Sequence, residues 1–165
     1  MTTQNPAESS VEDPIVANVR ASLVAAGLGD TVVVVPDSVA TAATAAAVLG
    51  CDVGAIANSL IFECDGAPLL ILASGAAKVD VKMVARQHGL AKITRADPEF
   101  VLQHAGQPVG GVAPLGHPAP LKTFLDTDLA QYPVLWAGAG SHQAMLSLSY
   151  QQLLDLTAAT ETAVR

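Results

Sequence analysis

The stretch Ile56–Ala73 constrains this chain more than any other. It holds two apolar, β-rich runs, Ile56–Cys64 and Leu69–Ala73, with Asp65-Gly66 between them. Asp-Gly between apolar runs is a strong short-range signal for an antiparallel hairpin, because both residues tolerate the positive φ of a tight turn. Ala67-Pro68 suggests a loop somewhat longer than two residues. An antiparallel pair at the centre excludes an all-parallel doubly wound sheet, so the flanking elements must join a mixed one.

Those elements are short. Ile15, Val16, Val19, Leu23 and Val24 have helical spacing over Pro14–Ala26, and Gly27 follows as a stop. The β-branched run Thr31–Val35 predicts a buried strand, and Thr41–Leu49 a helix ended by Gly50. Beyond the hairpin, Val79–His88 reads as an amphipathic helix and Ala91–Thr94 as a short strand. Asp97-Pro98-Glu99 starts another helix, with Asp as cap, Pro in the first turn and Glu at the positive end of the dipole. Gly110–Pro120 is too rich in Gly and Pro for a regular element. Leu121–Leu125, Val134–Ala137 and Met145–Leu148 read as strands and Thr127–Gln131 as a short helix. Ser149 and Gln152 fit a capping box opening a final helix to Thr157. The order αβαββαβα, loop, βαββα predicts an α/β (α+β) fold: a mixed, barrel-like β-sheet flanked by short helices. One domain is expected over residues 14–165, behind a mobile polar tail at 1–13.

Of the 165 residues, 51% are hydrophobic and mean hydropathy is +0.43, which excludes a disordered chain. No run of about 18 residues is purely apolar, so no membrane span is expected. The net charge of -7 argues against a general nucleic-acid binder and against DNA, while leaving room for contact with one RNA end through a local patch. Cys51 and Cys64 suit free thiols in a reducing compartment. The first residues lack a basic start and an apolar core, so no secretory signal is read and a cytoplasmic location is expected.

Phosphate-loop, dinucleotide, zinc-protease and nucleophile-elbow motifs are absent, and no His pair has metal-ligand spacing; neither cofactor nor metal is expected. Three features remain. The loop GGVAPLGH, Gly110–His117, permits close backbone approach and leaves N–H groups able to polarise a carbonyl, although a tight crossover loop needs no ligand. The turn Ala139-Gly140-Ser141-His142 follows a strand, where a site wall often sits, but a plain hairpin fits it too. Asn58 interrupts an apolar strand, so its amide either faces a cavity or points outward.

Taken in this order, AIANSLIFECDGAPLLILASG, KVDVKMVARQHGLAKITRADPEFV, PVGGVAPLGH, LWAGAGSH and SYQQLLDLTAAT resemble the YbaK / prolyl-tRNA-synthetase-associated editing domain family. The resemblance spans roughly residues 36–160. It implies a barrel-like mixed sheet and a deacylase that hydrolyses mischarged aminoacyl-tRNA, often tRNA for proline carrying alanine or cysteine. The implied partners are the tRNA acceptor end and an aminoacyl-tRNA synthetase, with the protein a monomer or homodimer. The implied catalytic residues are Asn58, Gly111 and His142. The implied substrate-binding residues are Ser59, Gly110, Pro114, Gly116, His117, Gly140 and Ser141. Asn58, Gly111, Pro114, Gly116 and His142 are expected to line one pocket. Many relatives carry Lys where this chain has Asn58, which keeps a hydrogen-bonding group but loses the charge. Two functions follow: an ester hydrolase that relies on loop N–H groups and a substrate-assisted attack, or a degenerate binding module that keeps the pocket without turnover.

Overall fold

The computed structural model describes residues 12–165, so most of the expected tail lies outside the described residues. Five helices are α1 (Pro14–Ala25), α2 (Ala42–Leu49), α3 (Val81–His88), α4 (Pro98–Ala105) and α5 (Tyr150–Thr157). Eight strands are β1 (Val33–Val34), β2 (Ile56–Cys64), β3 (Ala67–Ser74), β4 (Ile93–Arg95), β5 (Lys122–Asp126), β6 (Leu135–Gly138), β7 (Ala144–Leu148) and β8 (Thr160–Thr162). Single 3₁₀ turns occupy Val53–Ala55 and Thr127–Gln131.

Each helix start has a side-chain acceptor for its free N–H groups. Asp13, Asp80 and Asp97 cap α1, α3 and α4, while Thr41 and Ser149 build reciprocal capping boxes on α2 and α5. Three of the helices end on glycines in the left-handed region, at Gly50, Gly89 and Gly106.

The eight strands form one mixed sheet in the order β1-β7-β6-β2-β3-β5-β8, with β4 also pairing β2. The β2–β3 hairpin is its centre, from Cys64↔Ala67 to Ala57↔Ser74. Its turn is two residues, shorter than expected: Asp65 and Gly66 both have positive φ, the type I′ arrangement. Pro68 therefore belongs to β3, opposite Glu63. The Gly75 N–H to Ile56 carbonyl bond sets the hairpin's alternation and leaves Glu63/Pro68 a pair without cross-strand bonds. The missing proline N–H costs nothing there.

Two further differences have clear causes. The strand expected at Thr31–Val35 is only Val33–Val34; it pairs β7 alone, and Val34 is 60% exposed. β8 has no counterpart in the sequence reading. Its residues are polar, and it is held by parallel pairing with β5.

The sheet faces are covered differently. Alternate β2 residues Ala57 and Ile61 join Leu70, Leu72, Leu125, Leu135 and Leu146 in the main core, with α1, α4 and α5. The opposite face carries two smaller clusters. Leu60 and Phe62 pack with Ile71, Phe124 and α3; Ile56 packs with Val39, α2 and Met145. Asn58 lies on this second face, between the two clusters.

Candidate functional site

The sheet is interrupted at β2. One edge of β2 pairs β3 along the strand. On the other edge, Ile56 and Ala57 pair β6 in parallel, and Phe62–Cys64 pair β4 antiparallel. Residues 58–61 have no strand partner there. A small cleft, about 30 Å³, opens at this gap, and Asn58, Ser59, Gly110, Val112 and Thr41 are among its lining residues. Consecutive strand residues point to opposite faces. Asn58 and Ser59 can both reach the cleft because it opens at the strand's edge.

Register explains how the loop arrives. Ala137 pairs Ala57, so Gly138, the last residue of β6, would come opposite Asn58 if the ladder continued. The loop residue Val112 lies against Gly138 where β6 leaves β2. A Cβ on Gly138 would lie 2.7 Å from the Val112 carbonyl oxygen, so only glycine permits the approach. Gly110 has φ +84°, and a Cβ there would meet the Ala40 carbonyl and His142 Nε2, both at 3.2 Å.

Several polar groups at this cleft lack internal partners. Ser59 Oγ is shielded from solvent and has no hydrogen bond. The Asn58 side-chain amide and the Gly110 and Val112 backbone N–H groups make none with any described residue. Of these, Ser59 Oγ is shielded, whereas Asn58 is half-buried and Gly110 is exposed to water. A shielded polar atom is ordinarily satisfied, so Ser59 Oγ is the exception at this cleft. The Thr41 hydroxyl is already committed to the α2 capping box.

The other expected site residues sit elsewhere. Gly111 packs behind the cleft on the Ser141 backbone, and its carbonyl accepts the Gly140 N–H at 2.8 Å. Ser141 shapes the β6–β7 turn, its hydroxyl accepting the Gln143 N–H. Gly140 abuts Ile15 of α1. His142 does not line the cleft; its ring pairs with the Val109 carbonyl at 2.8 Å and anchors the loop. Pro114, Gly116 and His117 line a second, larger and more open cleft of about 300 Å³ with Leu121, Leu156 and Thr157. The structure thus brings Asn58, Ser59 and Gly110 together and places Pro114, Gly116 and His117 apart from them.

His117 is mostly buried and bonds the Ala113 carbonyl at 2.8 Å. Burial pushes its pKa below the ordinary value, and that bond only partly opposes the shift.

Sequence reasoning passed over Gln107. It is 1% exposed, and its amide spans the base of the loop: Oε1 accepts the Ala113 N–H at 2.6 Å and Nε2 donates to the Leu115 carbonyl at 3.0 Å. Two weaker reaches add to this, Gln107 Nε2 and Asn18 Nδ2 to the Gly116 carbonyl. The only sequence signal was an amide residue wedged between a helix-ending glycine and a proline.

The family model for the aminoacyl-tRNA editing domain matches residues 36–156, which include β2, the loop and the β6–β7 turn. This chain belongs to that family. An uncharacterized Bacillus subtilis protein, YwhH, is 31% identical over 121 residues, 73% of this chain and 76% of the relative. Among solved structures, a candidate trans-editing enzyme for prolyl tRNA synthetase shares 35% identity with a TM-score of 0.88, covering 94% of this chain and 99% of that one. The hypothetical protein APE2540 shares 26% identity with a TM-score of 0.82, covering 89% and 98%. Among the described residues no helix is long and apolar enough to cross a membrane.

Proposed function

We propose that the chain is a trans-acting aminoacyl-tRNA deacylase that hydrolyses the ester of a mischarged tRNA, tRNA-Pro or a related one, in the cytoplasm. The observation that carries this reading is the set of uncommitted polar groups at the β2 gap: the Asn58 amide, Ser59 Oγ and the Gly110 and Val112 N–H groups. An aminoacyl ester is already activated, so positioning and carbonyl polarisation suffice. In this reading the loop N–H groups bind the ester carbonyl oxygen and Asn58 orients the terminal ribose. Ser59 Oγ bonds the aminoacyl group. Water adds to the carbonyl carbon, giving up a proton as it does so, with the substrate's own hydroxyl able to assist that proton transfer. The carbon–oxygen bond to ribose then breaks, and the ribose oxygen leaves with a proton.

Gln107 and His142 hold the loop from outside the cleft and act as positioning residues. Asn58 where relatives carry Lys favours a second reading, a binding module that holds an aminoacylated end without turnover. Both readings place the ligand in the same cleft. A non-hydrolysable 3′-aminoacylamido-adenosine tests that placement by NMR. The amides of Asn58, Ser59, Gly110 and Val112 should shift on titration. Shifts confined to Pro114–Leu121 would move the site to the second cleft.

A further inference from the structure

The charges of this acidic chain are segregated. Residues 78–122 hold six of its eight Lys and Arg side chains, Lys78, Lys82, Arg86, Lys92, Arg95 and Lys122, but only three of its fifteen acids. The two cations outside the segment are both ion-paired, Arg20 to Glu12 and Asp30, and Arg165 to Asp128. None of the six inside it forms a salt bridge with a described residue, and all six are exposed. Two of the segment's three acids, Asp80 and Asp97, are engaged as helix caps.

The fold places four of these cations, Lys82, Arg86, Arg95 and Lys122, over one sheet face. Val84 and Ala85 of α3 pack on the cluster holding Leu60, Phe62, Ile71 and Phe124. Lys82 and Arg86 therefore stand on the outer side of α3, four residues and about 6 Å apart along its axis. Lys122 lies 5.8 Å above the Phe124 ring on the same cluster.

The face also borders the cleft. Arg95 pairs with Phe62, four residues along β2 from Asn58 and on Asn58's face, so roughly 13 Å away. Lys78 follows four residues after Ser74, which pairs with Ala57. The basic run begins near one end of the cleft-bearing strand segment and finishes near the other.

We propose that the α3–β4 face is the docking surface for the phosphate backbone of an RNA acceptor stem whose 3′ end enters the β2 cleft. The proposal rests on the deacylase reading for what enters the cleft. Of the α3 residues turned away from the cluster, Lys82, Arg86 and Gln87 are exposed and polar, and Met83 among them is half-buried. That composition suits phosphates, whereas a protein–protein interface core calls for apolar and aromatic side chains. A net charge of -7 repels RNA at long range, so attraction must come from such a local patch.

The test uses the full chain and an uncharged acceptor-stem minihelix, with Kd measured across a salt series for wild type, a Lys82→Gln/Arg86→Gln/Arg95→Gln variant and an Arg165→Gln control. The triple variant should bind at least 10-fold more weakly at low salt, and its log–log salt slope should be shallower by about 2–3, since each lost phosphate contact removes nearly one unit. Arg165→Gln should match wild type. A thermal melt checks folding, which exposed polar changes should spare. Wild-type affinity and slope in the triple variant would overturn the proposal. So would intact RNA binding with lost binding to a purified synthetase, which would make this a protein-docking face. The probe carries no amino acid, so failure to hydrolyse any ester is a separate outcome that bears only on the deacylase reading.

Discussion

Replacing Gln107 with Met should loosen the site loop without touching the cleft. Met has nearly the volume of Gln and no amide, so packing is kept while hydrogen bonding is lost. The Ala113 N–H and the Leu115 carbonyl both lose their close partner, and Ala113 and Leu115 are buried. An unsatisfied buried donor or acceptor costs about 1–3 kcal/mol, so the pair costs about 4 kcal/mol at mid-range. A domain of this size loses about 2–4 °C in Tm per kcal/mol, which gives a drop of roughly 8–16 °C. Thermal melts measure the total. Hydrogen exchange locates it: amides of Ala113–Gly116 should exchange faster, while the β2–β3 hairpin keeps its protection relative to global stability. A Tm within 2 °C of wild type, with loop exchange unchanged, would refute the idea that Gln107 holds the loop.

Three further outcomes are expected. Ser59→Ala removes an oxygen that has no partner, so Tm should hold or rise while deacylation slows about 2- to 12-fold, the equivalent of one hydrogen bond; a clear fall in Tm would show that Oγ is structural. Asn58→Ala should slow single-turnover deacylation by a similar factor with an unchanged melt, whereas Asn58→Lys should raise activity or shift the preferred amino acid; unchanged rates in Asn58→Ala would remove Asn58 from the site. His117 has a folded pKa below its ordinary 6.5, so the unfolded chain takes up a proton first as pH falls. Its contribution to stability is therefore present above pH 6.5 and lost below it, and His117→Asn should flatten that part of a stability–pH curve.

The hairpin was legible because its signals are local: Asp-Gly at the turn and two apolar runs beside it. The helix starts at Asp97 and Ser149 and the glycine stops at Gly50, Gly89 and Gly106 were legible for the same reason, since caps and terminal glycines act within one turn, whereas the Thr41 and Asp80 caps were passed over. β8 was not, because Thr160–Thr162 carries no apolar pattern and owes its form to a parallel partner far away in sequence. Val33 and Val34 misled through composition; β-branched residues at a sheet edge look like those at its centre. The candidate site divides similarly. Asn58 stood out as a polar break in an apolar strand, and the glycine loop by its composition. That the loop serves two clefts, with Gly110 at one and Pro114, Gly116 and His117 at the other, depends on its pinning by Gln107 and on the place where β6 leaves β2. Neither is a property of spacing.

The most direct test of the central claim is single-turnover hydrolysis of tRNA-Pro carrying alanine, cysteine or proline, followed in parallel for wild type and an Asn58→Ala/Ser59→Ala variant with a confirmed native melt. Wild type should release at least one incorrect amino acid well above the uncatalysed rate and spare prolyl-tRNA, and the double variant should be slowed severalfold. Background rates for wild type on every ester, extended to other tRNAs charged with small amino acids, would contradict it and leave the cleft as a binding site only.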